Sequence, residues 1–231
     1  MVRTEGNMEP QPLYALELDG SDPLTPTLVK AVGALCDRTE DRGGHPVVAV
    51  HVTGAPDGGW AKGLDVMLVT KWERVLRRLE RLPVATVAVA RGDCGGTALE
   101  AFLAADVRVA APDTRLLLPR DATATWPGMA GYRLVRLAGV ARIRGALLFG
   151  RPVRAAEALA LGVVDEVTDD PAAAVSAVSE LAGGLSGKEV AIRRQLMFDA
   201  ATTGFEDALG AHLAACDRAL RQGPGPEAAA S

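Results

Sequence analysis

Short apolar runs alternate with amphipathic stretches along the first half of this chain. Residues 13–18 (LYALEL) carry apolar side chains at adjacent or alternate positions, as a strand does, and Asp19-Gly20-Ser21-Asp22-Pro23 reads as the turn that ends them. Over 25–38 the apolar positions Leu28, Val32 and Leu35 recur at helical spacing. Residues 46–53 form a valine-rich run of buried-strand length, followed by a glycine-rich loop through Trp60. The clearest helix is predicted over 64–82. There Leu64, Leu68, Trp72, Leu76 and Leu79 make one stripe, while Lys71, Arg74, Arg77, Arg78 and Arg81 lie mostly off it, and Pro83 stops the pattern.

A strand is predicted at 84–90, then a glycine turn over 92–96, a helix from Thr97, and strands at 107–110 and 116–118. Helices follow at 129–137, 143–149, 155–161, 171–181 and 189–221. Strand and helix alternate first and helices dominate afterwards, so the expected class is α/β, with parallel strands followed by a helical region. Loosely repeated strand–helix units near 13–38, 46–82 and 84–105 point to a spiral of similar turns. The expected organisation is a disordered stretch over 1–12, a core over 13–170, a C-terminal helical region over 171–222 and a flexible tail over 223–231.

Composition narrows the function classes. The 231 residues are 48% apolar but only 4% aromatic, with alanine and valine prominent, which suits close packing of helices on a sheet. Formal net charge is −4 and the basic residues are scattered, so the charged face of a nucleic-acid binder is missing. Cys36, Cys94 and Cys216 are far apart and lack metal-ligand spacing. No run approaches the ~20 apolar residues of a membrane span, and the first residues are polar, so a reduced, cytoplasmic protein without membrane or metal is expected.

The segment Gly92-Asp-Cys-Gly-Gly-Thr-Ala-Leu-Glu100 carries the chemistry. A helix starting near Thr97 leaves main-chain N–H groups without acceptors, at the positive end of its dipole. Such donors suit a carbonyl oxygen that becomes an enolate, and Glu100 lies one turn away to move a proton. Thr97-Ala-Leu-Glu100 also fits a capping box, in which Glu100 only bonds back to its own helix end. Cys94 reads as a small packing residue, and no serine in a glycine elbow joins His45, His51 or His212 to make a hydrolase.

Five patterns in order resemble the crotonase, or enoyl-CoA hydratase/isomerase, superfamily. They are 47–54 (VVAVHVTG), Trp60-Ala-Lys-Gly63-Leu64-Asp65, Gly92 through Asp106, Trp126-Pro127-Gly128, and the stretch from Gly150 to Gly162-Val-Val. The resemblance implies a spiral of ββα turns with C-terminal helices, assembled as trimers or hexamers. It also implies a CoA thioester as substrate with no separate cofactor. By position it assigns the oxyanion donors to the N–H groups of Leu64 and Thr97, and proton transfer to Glu100. The implied CoA-binding set is Lys62, Gly63, Asp65 and Gly96. Lys62 also reads as a solvated lysine and Asp65 as a helix cap. The second glutamate of the hydratases is absent, because Pro119-Arg120 stands where Pro-Glu is expected. Arg120, as an enolate or carboxylate binder, and the adjacent Asp121 are candidates to replace it, while Arg120 reads equally as a surface cation at a strand end. Tyr132 reads either as a donor to a substrate oxygen or as a core residue.

Within the superfamily, Ala124-Thr-Trp126-Pro-Gly128-Met and the 92–100 loop look most like the hydratase-like proteins that accompany a type III polyketide synthase in making 3,5-dihydroxyphenylacetyl-CoA. The implied activity is dehydration and aromatisation of a polyketide CoA thioester. The alternative is a non-catalytic acyl-CoA-binding partner that enhances the synthase.

Overall fold

The computed structural model describes residues 14–42, 47–121 and 123–222; the expectations for 1–12 and 223–231 concern residues outside that set. The chain begins β1 (Tyr14–Asp19), α1 (Pro26–Arg42), β2 (Val48–Gly54), α2 (Val66–Leu79), β3 (Thr86–Gly95) and α3 (Gly96–Leu103). It continues β4 (Val107–Ala110), β5 (Arg115–Leu117), α4 (Met129–Ala138), α5 (Val140–Phe149), β6 (Val153–Arg154) and α6 (Ala155–Ala160). β7 (Glu166–Val167), α7 (Pro171–Ala182), α8 (Gly187–Ala200) and α9 (Phe205–Gln222) complete it.

The sheet runs in the order β1-β2-β3-β4-β7, with every neighbour parallel. β5 pairs in parallel with the far end of β3 and antiparallel with β6. Alternation along β2 splits its side chains between two apolar layers. Val48, Val50 and Val52 join the main core with Trp72, Leu76, Leu99 and Phe102. Val47 and Ala49 face the other side, where Val87, Val89 and Val109 are covered by Ala174, Val175 and Ala182 of α7.

Several boundaries differ from the expected ones for identifiable reasons. β3 does not stop at residue 90 but continues through the glycine turn. Gly92, at φ +59°, breaks the ladder, so Val87 to Ala90 pair with β4 while Asp93, Cys94 and Gly95 pair with β5. α2 starts at Val66 because the Asp65 carboxylate accepts the Leu68 N–H at 2.7 Å, which leaves Leu64 in the preceding turn. The helix expected over 189–221 is two helices, because the chain turns at Thr202-Thr203-Gly204, with the N–H groups of Thr202 and Thr203 both donating to the Asp199 carbonyl at 2.9 Å. After α6 the buried Val163 and Val164 lead into β7 at Glu166–Val167.

α8 is tied to the sheet by one buried guanidinium. Arg194 Nε and Nη2 each donate to the Asp106 carboxylate at 2.6 Å, and Nη2 also reaches the Val84 carbonyl at 2.7 Å. Nη1 donates to the Leu82 carbonyl. Asp106 in turn accepts the Thr86 N–H and hydroxyl at 2.9 and 3.0 Å, so one pair joins α8, the end of α3 and the start of β3. Replacing Arg194 by Ala leaves two carbonyls and a half-buried carboxylate short of donors. It is expected to lower unfolding free energy by about 3 kcal/mol. Urea denaturation checks this, and a loss below about 1 kcal/mol would show that the pair is dispensable.

Candidate active site

The end of β3 feeds α3 through two glycines. Gly95 is the extended N-cap and Gly96 takes φ +53°; an added Cβ on Gly96 would come 3.1 Å from the Pro56 ring and 3.2 Å from the Gly20 carbonyl oxygen. Because the helix begins at Gly96, Thr97 and Glu100 are its second and fifth residues, and the capping box does not form. The Thr97 N–H belongs to the first turn and has no acceptor within the helix. Every residue of α3 is buried, Glu100 among them at 6% exposure.

Glu100 is held from α2 instead. The indole Nε1–H of Trp72 donates to Glu100 Oε2 at 2.6 Å. Glu100 Oε1 faces Gly128, where an added Cβ would lie 2.9 Å from it and 2.5 Å from Trp126 Nε1. Burial pushes the carboxyl up to about 7, the neighbouring Glu73 charge adds to the rise, and the Trp72 N–H and Arg133 oppose it. Glu73 is itself raised, by burial first, against its pairing with Arg133. Arg133 is buried and donates to Glu73 at 3.1 Å and to Glu80 at 2.7 Å.

The first glycine loop closes on itself. The N–H groups of Trp60, Lys62 and Leu64 donate to the carbonyls of Asp57, Gly59 and Ala61 at 3.3, 3.0 and 3.1 Å. The Leu64 N–H is therefore engaged within its own turn. Gly63 takes φ +83° with open space around it, and Lys62 is exposed with no ion pair among the described residues. Trp60 packs edge-on against Trp126, with centroids 5.1 Å apart, and so links this loop to the one before α4.

Arg120 and Asp121 are turned onto their own loop. Arg120 is exposed, bridges to Thr125 and donates to the Phe149 carbonyl at 3.4 Å. The Asp121 carboxylate accepts the Thr123 N–H and hydroxyl, both at 2.7 Å, and the Ala124 N–H at 2.9 Å, which hold it below the usual carboxylate range. Neither shares a hydrogen bond or ion pair with Glu100 among the described residues. Tyr132 is no core residue: it is 55% exposed and lines a cavity of about 1090 Å³ between α2, α4 and α8. Glu73, Trp126 and Arg133 line the same cavity, while Glu100, Leu64 and Thr97 do not.

Trp72, Glu73 and Arg133 were not expected in the site. Trp72 lies in the apolar stripe that predicts α2, and the one signal it offers is an indole N–H that needs an acceptor when buried. Cys94 is fully buried and its thiol is pushed up by that burial, as a packing residue's would be. Among the described residues no group of three or more His, Cys, Asp and Glu is placed to hold a metal ion. No helix among them is long and apolar enough to cross a membrane.

Comparison with known proteins gives this geometry a family. The family model described as enoyl-CoA hydratase/isomerase matches residues 59–222. A protein named enoyl-CoA-hydratase from Amycolatopsis orientalis is 56% identical over 207 residues, covering 90% of this chain and 95% of that protein. The structure of an enoyl-CoA hydratase from Bacillus anthracis shares the fold at TM-score 0.76 and 22% identity, covering 90% of this chain and 87% of that one. So does a putative enoyl-CoA hydratase from Thermobifida fusca, in complex with acetoacetyl-CoA, at TM-score 0.75 and 18% identity over 88% of each chain. The family match over most of the chain, the 56% identical relative and the shared mostly parallel fold show that the chain belongs to the enoyl-CoA hydratase/isomerase family.

Proposed function

We propose that this protein dehydrates or tautomerises a polyketide-type CoA thioester, on the way to 3,5-dihydroxyphenylacetyl-CoA made with a type III polyketide synthase. The observation that carries the chemistry is Glu100, a buried carboxyl raised to about 7, so that both protonation states are populated near neutral pH. In this reading Glu100 takes the proton α to the thioester. The electron pair moves onto the thioester oxygen, held by the N–H groups of Leu64 and Thr97. As the enolate collapses, the β-oxygen leaves with the proton Glu100 now carries, and the net loss is one water. A single carboxylate suffices for this sequence, which fits the absence of a second one at Arg120. Addition of water across a double bond asks for a further group to activate it. The β-keto thioester held by the Thermobifida fusca relative is of the same chemical type.

The Leu64 N–H bond to Ala61 and the slight exposure of Glu100 favour a second reading, in which the protein binds an acyl-CoA and enhances the synthase without chemistry of its own.

Two measurements bear on this. Purified protein, malonyl-CoA and the companion synthase should yield more 3,5-dihydroxyphenylacetyl-CoA by mass spectrometry than the synthase alone. Glu100→Gln should lose most of that gain, about 100-fold or more in rate. An unchanged gain with the folded variant selects the binding reading, and no gain from the wild type removes the pathway assignment. Independently of substrate, a carboxyl raised from 4.5 to about 7 on folding binds more protons folded than unfolded across that window. Its contribution to stability is therefore whole below about pH 4.5 and is lost as pH rises through 7. Relative to Glu100→Gln, the wild type should lose about 3 kcal/mol between pH 4.5 and 8 at about 1.4 kcal/mol per pH unit. A pH-independent difference in denaturation would show that Glu100 ionises freely.

A further inference from the structure

Trp72 brings a polar atom into the apolar stripe of α2, where Val75, Leu76 and Leu79 are buried beside it. It is 1% exposed and the largest fully buried side chain among the described residues. Phenylalanine or leucine would fill such a place without polar need, whereas a buried indole N–H has to end on an acceptor. Here it ends on Glu100 Oε2 at 2.6 Å, the only hydrogen bond that the Glu100 carboxylate accepts among the described residues. Oε1 is left on the side of Gly128, where an added Cβ would stand 2.9 Å from it. Indole does not exchange its proton role near neutral pH, so Trp72 is a donor in both protonation states of Glu100. The charges that bear on Glu100 are Glu73 of α2 and Arg133 of α4. Around α3, Glu17 and Asp19 of β1, His51 of β2 and Arg91 of β3 are exposed, and Asp93 of β3 pairs with Arg115 of β5.

We propose that Trp72 is a positioning residue: its indole N–H holds Glu100 Oε2, so that the proton Glu100 takes and returns is carried on Oε1, on the side of Gly128. The inference rests on the reading of Glu100 as the proton-transfer group and adds to it a residue that touches no substrate. A carboxylic acid accepts a hydrogen bond best at its carbonyl oxygen, so a donor fixed on Oε2 leaves Oε1 to carry the proton. The same donor stabilises the carboxylate more than the acid, because a hydrogen bond to the charged form is the stronger one. Trp72 therefore both orients the group and offsets part of the cost that burial puts on its ionisation.

The test is Trp72→Phe in the full chain, which keeps an aromatic ring and removes the N–H. Carbon-13 NMR of glutamate carboxyls, with Glu100 identified as the signal missing from Glu100→Gln, should show the Glu100 midpoint about one pH unit higher in Trp72→Phe, a roughly tenfold weaker acid. In the assay with malonyl-CoA and the synthase, the rise of the rate with pH should move up by the same amount, which lost packing alone would not do. Wild type supplies a readout that needs no folded variant: with nitrogen-15 tryptophan, one indole N–H signal should titrate at the Glu100 midpoint. An unmoved midpoint in folded Trp72→Phe, or three pH-independent indole signals in the wild type, overturns this inference and leaves the Glu100 reading standing. Full activity in Glu100→Gln overturns that reading and this inference with it.

Discussion

The ends of β1, β2 and β3 meet in a space that admits no side chain, and the position of α3 with Glu100 follows from that meeting. A Cβ on Gly20 would fall 2.2 Å from the Gly95 carbonyl oxygen and 2.6 Å from that of Gly54; one on Gly95 would lie 2.9 Å from Ala55 and from the Leu117 carbonyl. Three main chains and the start of a helix therefore touch directly. With Gly92 bent to φ +59°, β3 trades β4 for β5 as a neighbour just before it enters α3. The helix then starts directly at the end of the central strand, and its whole length is driven into the core. Glu100 is buried because its helix is.

A buried carboxylate is costly unless donors surround it, and this protein uses two different solutions. Asp106 receives a forked guanidinium from Arg194 together with an N–H and a hydroxyl from Thr86, which leaves it no capacity for chemistry. Glu100 receives a single indole N–H. The nearest guanidinium, Arg133, is already committed to Glu73 and Glu80. The two carboxylates begin and end the same short stretch of chain, yet one is saturated as a tie between elements and the other is left with a free oxygen and a pKa near neutrality. Burial without a full set of donors thus sets Glu100 apart from Asp106 and makes it the candidate for proton transfer.

Much of this frame is legible in the sequence because it rests on local patterns. The valine runs at 46–53 and 84–90 and the stripe from Leu68 to Leu79 report directly on strands and helix, and the glycines before Thr97 mark where strand passes into helix, although β3 runs on through them. The carboxylate at Glu100 and the missing partner at Arg120 are equally plain. What the sequence does not disclose is long-range pairing. Nothing near Trp72 says that its N–H ends on a residue 28 positions away, and nothing near Arg194 points to Asp106, 88 positions back. Asp121 is engaged locally for a related reason: with Thr123 two residues on, its carboxylate finds three donors within its own turn. The break between α8 and α9 is masked in the sequence because the apolar spacing continues across it, although Thr202-Thr203-Gly204 is weak helix-forming chain.

The two main-chain donors assigned to the thioester oxygen differ in readiness. Thr97 belongs to a helix wholly enclosed by the core, so its N–H is oriented before any ligand arrives. Leu64 lies in a rolled turn, its N–H bonded to Ala61 at 3.1 Å, next to Gly63 at φ +83° with nothing close by. On the proposed reading, a thioester carbonyl must displace the Ala61 oxygen, and the turn must rotate about Gly63 to let it. The exchange replaces one N–H···O bond by another, so it is nearly neutral in energy, and the Trp60–Trp126 contact is the packing that resists it. On that reading, half of the oxyanion site is rigid and half is made on binding.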